Sequence, residues 1–167
     1  KKCDRVIVSI FINPTQFGDD EDFETYPQTQ KSDITLISEA GGDAAFIPNV
    51  SEMYPRGFST KVSVIGLTNM LCGASRPGHF DGVTQVVAKL LNQVSADMAF
   101  FGEKDWQQLT IIKRLVRDLD IPTKIVNVAT VRDEFGLALS SRNSYLKSSQ
   151  LEIARKLSSV LQMTAYN

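Results

Sequence analysis

The chain has 167 residues, 43% of them hydrophobic, with 18 Lys+Arg against 19 Asp+Glu and a formal net charge of −1. That length buries roughly 70% of the surface its unfolded form exposes, enough for one sizeable core without disulfide or metal staples. Near-neutral charge with no Lys/Arg-rich run argues against a nucleic-acid binder, which needs a basic face to displace counterions, and makes small molecules the expected partners.

Cys3 and Cys72 form no CxxC pair, and His79 is the single histidine, so the cysteines read as reduced thiols of a cytoplasmic protein rather than as a disulfide or zinc pair. No apolar run approaches the roughly 20 residues of a membrane helix, and the hydrophobic part of KKCDRVIVSIF is too short and too β-branched for a signal peptide. Position 1 is not methionine and a strand pattern begins by residue 5, from which we expect sequence to have been lost upstream.

Residues 5–11, RVIVSIF, are a β-branched run of the kind seen in parallel strands buried on both faces. After the acidic GDDEDFE, Pro27 fits the first turn of a helix carrying Ile34, Ile37 and Ala40 and stopped by Gly41-Gly42. DAAFI (43–47) is predicted as strand two, KVSVIG (61–66) as a short third strand by its alternation, and 67–79 as loop. Val83, Val86, Val87, Leu90, Leu91 and Val94 mark an amphipathic helix over 80–94.

DMAFF (97–101) is predicted as strand four. Gly102 then turns into a helix with a stripe of Leu109, Ile112, Val116 and Leu119, broken at Ile121-Pro122. TKIVNVATV (123–131) follows as strand five. The alternation of strands and helices predicts an α/β protein, an open parallel sheet with right-handed crossovers and helices on both faces. After Val131 the pattern changes: RDEFGLALSSR predicts a two-stranded turn around Gly136, and Ser149 with Glu152 a capping box opening a helix to about Thr164. We place residues 1–130 in the sheet domain and 131–167 at the beginning of a second, truncated one.

Ligands of open α/β sheets bind outside the carboxyl ends of the strands, which selects three clusters. Gly102, Glu103, Lys104 and Asp105 combine a small residue, a cation and a helix N-terminus, a combination suited to phosphate. The plainer reading makes Asp105 the N-cap with Gln108 at the third position, and Lys104 solvated. Ser140-Ser141-Arg142 offers two hydroxyls and a guanidinium for a pyrophosphate, or is an ordinary turn. Asn13 and Gln16 are uncharged amides able to orient a hydroxyl or carboxylate, or caps of a turn. His79 lacks a GxSxG partner and reads as a turn or packing residue, and Asp19 to Asp22 as a solvated loop or, less readily, a magnesium site.

FINPTQF, LCGASRPGHFDGV, FFGEKDWQQL, VRDEFGLALSSRN and YL, in this order and spacing, resemble the pantothenate synthetase family from Val6 to about Leu146. The resemblance implies a Rossmann-like nucleotidyltransferase domain with a small C-terminal lid, a cytoplasmic homodimer, and ATP-dependent joining of pantoate to β-alanine with magnesium. It places Gln16, Asn13 and Gln108 at pantoate, and Gly102, Glu103, Lys104, Asp105, Val131, Leu139, Ser140, Ser141 and Arg142 at ATP. Lys104, Arg142, Ser140 and Ser141 carry its catalytic role. Many relatives have methionine where this chain has Leu139, a change that keeps the contact apolar. The family's HxGH segment, which precedes NPTQF, and most of the lid have no counterpart in this sequence, so the chain as given is expected to have little or no synthetase activity. Two alternatives stand beside this reading: a related adenylate-forming nucleotidyltransferase acting on another acid, and a non-catalytic ligand-binding or dimerisation fragment.

Overall fold

The computed structural model describes residues 2–165. It is built on two parallel strand pairs. The first joins β1 (Ile7–Ser9) through α1 (Gln30–Glu39) to β2 (Ala44–Phe46), with Ile7 opposite Ala44 and Ser9 opposite Phe46. After α2 (Val50–Met53), α3 (Cys72–Ser75) and α4 (His79–Val94), the second pair joins β3 (Met98–Gly102) through α5 (Trp106–Asp118) to β4 (Lys124–Val128), with Met98 opposite Lys124 and Gly102 opposite Val128. Two helices, α6 (Ser148–Arg155) and α7 (Leu157–Ala165), close the described chain. Among the described residues no helix is long and apolar enough to cross a membrane, and Cys3 and Cys72 are free thiols.

The core lies on α4. Its predicted stripe is in place, with Val83, Val86, Val87 and Leu91 buried against Ile111, Ile112 and Leu115 of α5 and against Met53 and Val64. The stripe of α5 is shifted from the prediction: Leu109, Ile111, Ile112 and Leu115 are buried, whereas Val116 is half-buried and Leu119 is exposed beyond the last turn. Among the described residues, each buried side-chain nitrogen or oxygen has a hydrogen-bond partner, as a close-packed interior demands.

Several predicted elements differ. Residues 61–66 are not a strand, although their period of two is real. Val62 and Val64 face inward, but the backbone of Val62 is satisfied by α4 side chains: its N–H donates to Gln85 Oε1 at 2.9 Å and its carbonyl accepts Thr84 Oγ1 at 2.7 Å. Lys61 and Ser63 meet Asp81 on the outer side. β1 is shorter than 5–11 and its residues are not fully buried; among the described residues it pairs with β2 alone. Its other side, with β3 and Val87, Leu90, Leu91 and Val94 of α4, lines an apolar groove, and Ile7 is 50% exposed. β4 likewise ends at Val128 rather than Val131.

Pro27 lies outside α1, which begins at Gln30 after Thr29. The predicted loop 67–79 contains a 3-10 turn, Leu67–Asn69, and the short α3. α2 was not predicted, though Asn49 and Glu52 form a reciprocal capping box at its start. The predicted Ser149–Glu152 box is replaced two residues earlier, where the Lys147 N–H donates to Gln150 Oε1, and the helix is interrupted at Lys156. The turn at Gly136 is present as an antiparallel bridge between Arg132 and Ala138, with Gly136 at φ +88°, a conformation that favours glycine.

One close approach sets the position of the loop after β1. The 3-10 turn Pro14–Gln16 rests on α4 at Gly82, where a Cβ would lie 2.2 Å from the Thr15 carbonyl oxygen and 2.7 Å from the Gln16 nitrogen. Gly82→Ala is expected to lower the unfolding free energy by about 1–3 kcal/mol, the cost of forcing backbone apart in a packed region. Gly102→Ala, whose Cβ would meet nothing within 4 Å, should stay within about 0.5 kcal/mol of the parent. Urea unfolding of both variants checks the contrast.

Candidate active site

The loop after β1 carries the 3-10 turn Pro14–Gln16 and β3 runs directly into the 3-10 turn Glu103–Asp105, so both predicted clusters lie where an open α/β sheet places its ligands. Asn13 is 2% exposed and its side chain is fully engaged. Its Nδ2 donates to the Gly82 carbonyl at 3.0 Å and to Gln16 Oε1 at 3.2 Å. Its Oδ1 accepts from the Thr15 N–H, Thr15 Oγ1 at 2.9 Å and Tyr54 Oη at 2.8 Å. Asn13 thus caps the turn and, through Gln16 Oε1, orients the Gln16 amide so that its NH2 carries no protein acceptor among the described residues.

Gln16, Asn13, Gln108, Asp105 and Arg142 line one cleft of about 210 Å³ together with Phe11, Ile12, Phe17, Tyr26, Arg76 and His79. A cleft of that size suits a small acid, lying below the roughly 300–1,000 Å³ of pockets for larger ligands. The Gln108 side chain makes no hydrogen bond to protein among the described residues. Its neighbour Gln107 is spent on structure, donating to the Leu67 and Met70 carbonyls and accepting the Cys72 N–H. The predicted Asp105 cap is absent: the carboxylate makes no hydrogen bond to the start of α5 and faces the cleft instead.

His79 and Arg76 are site residues that the sequence reading missed. His79 opens α4, as a turn residue does, but it also lines the cleft. Its Nδ1 lies 2.7 Å from the Gln16 carbonyl, which can only accept, so Nδ1 carries the proton and Nε2 accepts from Arg76 Nη1 at 3.1 Å. Burial is the main force holding the imidazole neutral, and the Arg76 charge adds to it. The Gln16 carbonyl, Glu21 and Asp105 oppose them, and the net effect lowers the pKa from its ordinary 6.5. The signal available in the sequence was the placement of Arg76 and His79 directly before the strongest helix pattern.

Apart from Arg142, the remaining predicted residues lie outside this cleft. Lys104 is exposed in the turn Glu103–Asp105 with no ion pair among the described residues, Gly102 ends β3, and Glu103 accepts from Asn127 Nδ2 on β4 at 3.1 Å. Val131 and Leu139 are brought together at the base of the Gly136 turn by the Leu139 N–H to Val131 carbonyl bond of 2.9 Å, both largely exposed. Ser140 Oγ accepts the Arg142 N–H, and Ser141 Oγ lies 3.0 Å from Tyr26 Oη at an adjoining apolar groove. Arg142 reaches the cleft while its Nε and Nη2 hold both oxygens of Asp22 at 2.8 and 2.7 Å. This fork draws the Asp22 carboxyl down to about 2, against a desolvation that raises it. Among the described residues no three His, Cys, Asp or Glu side chains form a metal-binding group. Glu21 and Asp22 of the acidic run are instead committed to Arg76 and Arg142.

Proton NMR of the imidazole should give a midpoint for His79 below 6.5. A midpoint at or above that ordinary value would contradict the buried, neutral tautomer.

Residues 1–166 match the sequence profile of the family Pantoate-beta-alanine ligase. The pantothenate synthetase of Dinoroseobacter shibae is 59% identical over 154 residues, covering 92% of this chain and 55% of that protein. That of Moorella thermoacetica is 56% identical over 160 residues, covering 96% and 56%. The crystal structure of pantothenate synthetase from Thermus thermophilus superposes with a TM-score of 0.93 at 51% identity, over 95% of this chain and 58% of that one. A crystal structure of the Francisella tularensis ligase, complexed with beta-gamma ATP and beta-alanine, gives 0.90 at 43% identity, over 96% and 62%. The chain therefore spans a little over half the length of the relatives it matches. Profile, sequence identity and superposed fold agree with the motifs around the cleft, and the chain belongs to the pantoate-beta-alanine ligase family.

Proposed function

We propose that this chain carries the acid-binding and nucleotide-facing part of an enzyme that condenses pantoate with β-alanine at the expense of ATP, giving pantothenate, AMP and pyrophosphate. The observation that carries this reading is the Gln16 NH2 and the Gln108 amide, neither engaged by protein among the described residues, set with the Arg142 guanidinium around one small cleft. Uncharged amides fix a hydroxy acid by its hydroxyl and carboxylate without neutralising the carboxylate that must react. The complex of the Francisella tularensis ligase with beta-gamma ATP and beta-alanine supports the choice of co-substrates.

In the first step a pantoate carboxylate oxygen bonds to the α-phosphorus while the bond from that phosphorus to the bridging oxygen breaks, and pyrophosphate leaves. In the second, the β-alanine amine attacks the acyl carbon of the pantoyl adenylate and AMP departs. The carboxylate has an ordinary pKa of about 4 and is already ionised, so the first step needs alignment and charge neutralisation rather than a general base. Gln16, oriented by Asn13, and Gln108 hold the acid in line. Lys104 and Arg142, with the Ser140 and Ser141 hydroxyls, offset charge on the phosphates. Gly102, Glu103, Asp105, Val131 and Leu139 border the nucleotide, and residues 131–167 begin a lid.

Magnesium enters with the triphosphate, which supplies oxygen ligands itself; in such sites the metal is held by substrate phosphates and one or two carboxylates rather than by an all-protein cage. A cytoplasmic homodimer belongs to the same proposal.

The test is pantoate-dependent exchange of pyrophosphate into ATP by the full-length enzyme that contains this segment. Lys104→Ala should reduce exchange by about 10²-fold or more, the scale of losing one charge-stabilising donor. Near-normal exchange in that variant removes Lys104 from its role, and faster exchange with another hydroxy acid than with pantoate overturns the substrate assignment.

A further inference from the structure

Adjacent carboxylates of the acidic segment grip arginines from two distant parts of the chain. Glu21 takes Nε and Nη2 of Arg76, beside His79, at 2.5 Å each. Asp22 takes Nε and Nη2 of Arg142 and accepts Tyr145 Oη at 3.2 Å. The Thr25 carbonyl, also 3.2 Å from Tyr145 Oη, shares that single hydroxyl proton with Asp22, and the Tyr26 ring lies 5.0 Å from the Arg142 guanidinium carbon. Residues 21–26 thus form a strap that joins the end of α3 to the 140–145 turn, beside the cleft that Tyr26, Arg76 and Arg142 all line.

A guanidinium presents five N–H donors in one plane, so holding one edge fixes where the others point. Asp22 holds the Nε/Nη2 edge, and Nη1 has no protein acceptor among the described residues. A phosphate can therefore be met at Nη1 without dismantling the ion pair. Tyr26 supports the same orientation from the ring face, and its contact with Ser141 fixes the preceding residue.

We propose that Asp22 is a positioning residue for phosphate binding: it touches no ligand, but it holds Arg142 so that Nη1 faces the anion and ties the 139–146 segment to the cleft. The proposal rests on the adenylation reading only in taking the anion to be the ATP triphosphate. The tie itself is independent of that reading.

Hydrogen exchange of residues 139–146 without nucleotide, and calorimetric titration with Mg-ATP, test both parts on Asp22→Asn in the full-length enzyme. Exchange in that segment should quicken about 10-fold, and ATP affinity should fall by about the same factor, the scale of losing one charge-assisted bidentate pair. Asp22→Glu, which keeps the charge, should recover most of both. The exchanged pair Asp22→Arg with Arg142→Asp, which removes the phosphate donor, should restore protection of 139–146 alone and so reports on the tie, whereas recovery of ATP affinity in Asp22→Glu reports on the positioning role. Unchanged exchange in Asp22→Asn overturns the tie, and unchanged or tighter ATP binding overturns the positioning role. A parent enzyme that binds no ATP would overturn the adenylation reading and the phosphate role with it, while the exchange result would still decide the tie.

Discussion

The cleft depends on a missing side chain. Because position 82 of α4 is glycine, the Pro14–Gln16 turn can settle onto the helix at a distance that any Cβ would forbid. Asn13 then locks the contact by donating to the Gly82 carbonyl. Two elements far apart in the chain thereby become one rigid wall, with Gln16 on the turn and His79 at the start of the helix joined by a hydrogen bond of 2.7 Å. Burying a polar side chain as completely as Asn13 is tolerable only when its donors and acceptors are met, and here both Nδ2 hydrogens and Oδ1 are.

From that wall the division of labour follows by asking which polar groups are already satisfied. Asn13 and Gln107 are occupied by protein and serve the frame, whereas the Gln16 NH2 and the Gln108 amide are left for a ligand. Arg76 and Arg142 are neutralised along one edge by Glu21 and Asp22. That keeps two cations beside a small cleft without a large local excess of positive charge, and it leaves a specific guanidinium edge for an anion. The site is preorganised for alignment rather than for proton transfer, in keeping with a carboxylate nucleophile that arrives ionised.

Local pattern revealed the parts of this that are local. The spacing of Val83, Val86, Val87 and Leu91 located α4, and the rule that ligands lie beyond strand ends selected NPTQF and GEKD from the sequence alone. Residues 61–66 misled because Val62 and Val64 alternate identically whether the polar groups between them meet a strand or the Gln85 and Thr84 side chains of a helix. The Asp105 cap misled because a carboxylate before a helix is equally suited to face a ligand. The strap was illegible for a different reason: Glu21 and Asp22 find their partners 55 and 120 residues away, and no periodicity encodes such pairings. His79 and Arg76 were passed over because a single histidine without a nucleophile has no recognisable role until its hydrogen bonds are seen.

The central claim is that the Gln16 NH2 and the Gln108 amide define the acid site, and side-chain amide NMR reads it directly, with Gln107 as internal control. On titration with pantoate, the NH2 signals of Gln16 and Gln108 should shift together and saturate, while those of Gln107, held by the Leu67 and Met70 carbonyls, stay in place. Saturable binding that leaves both Gln16 and Gln108 unmoved, or no binding at all, would contradict the account.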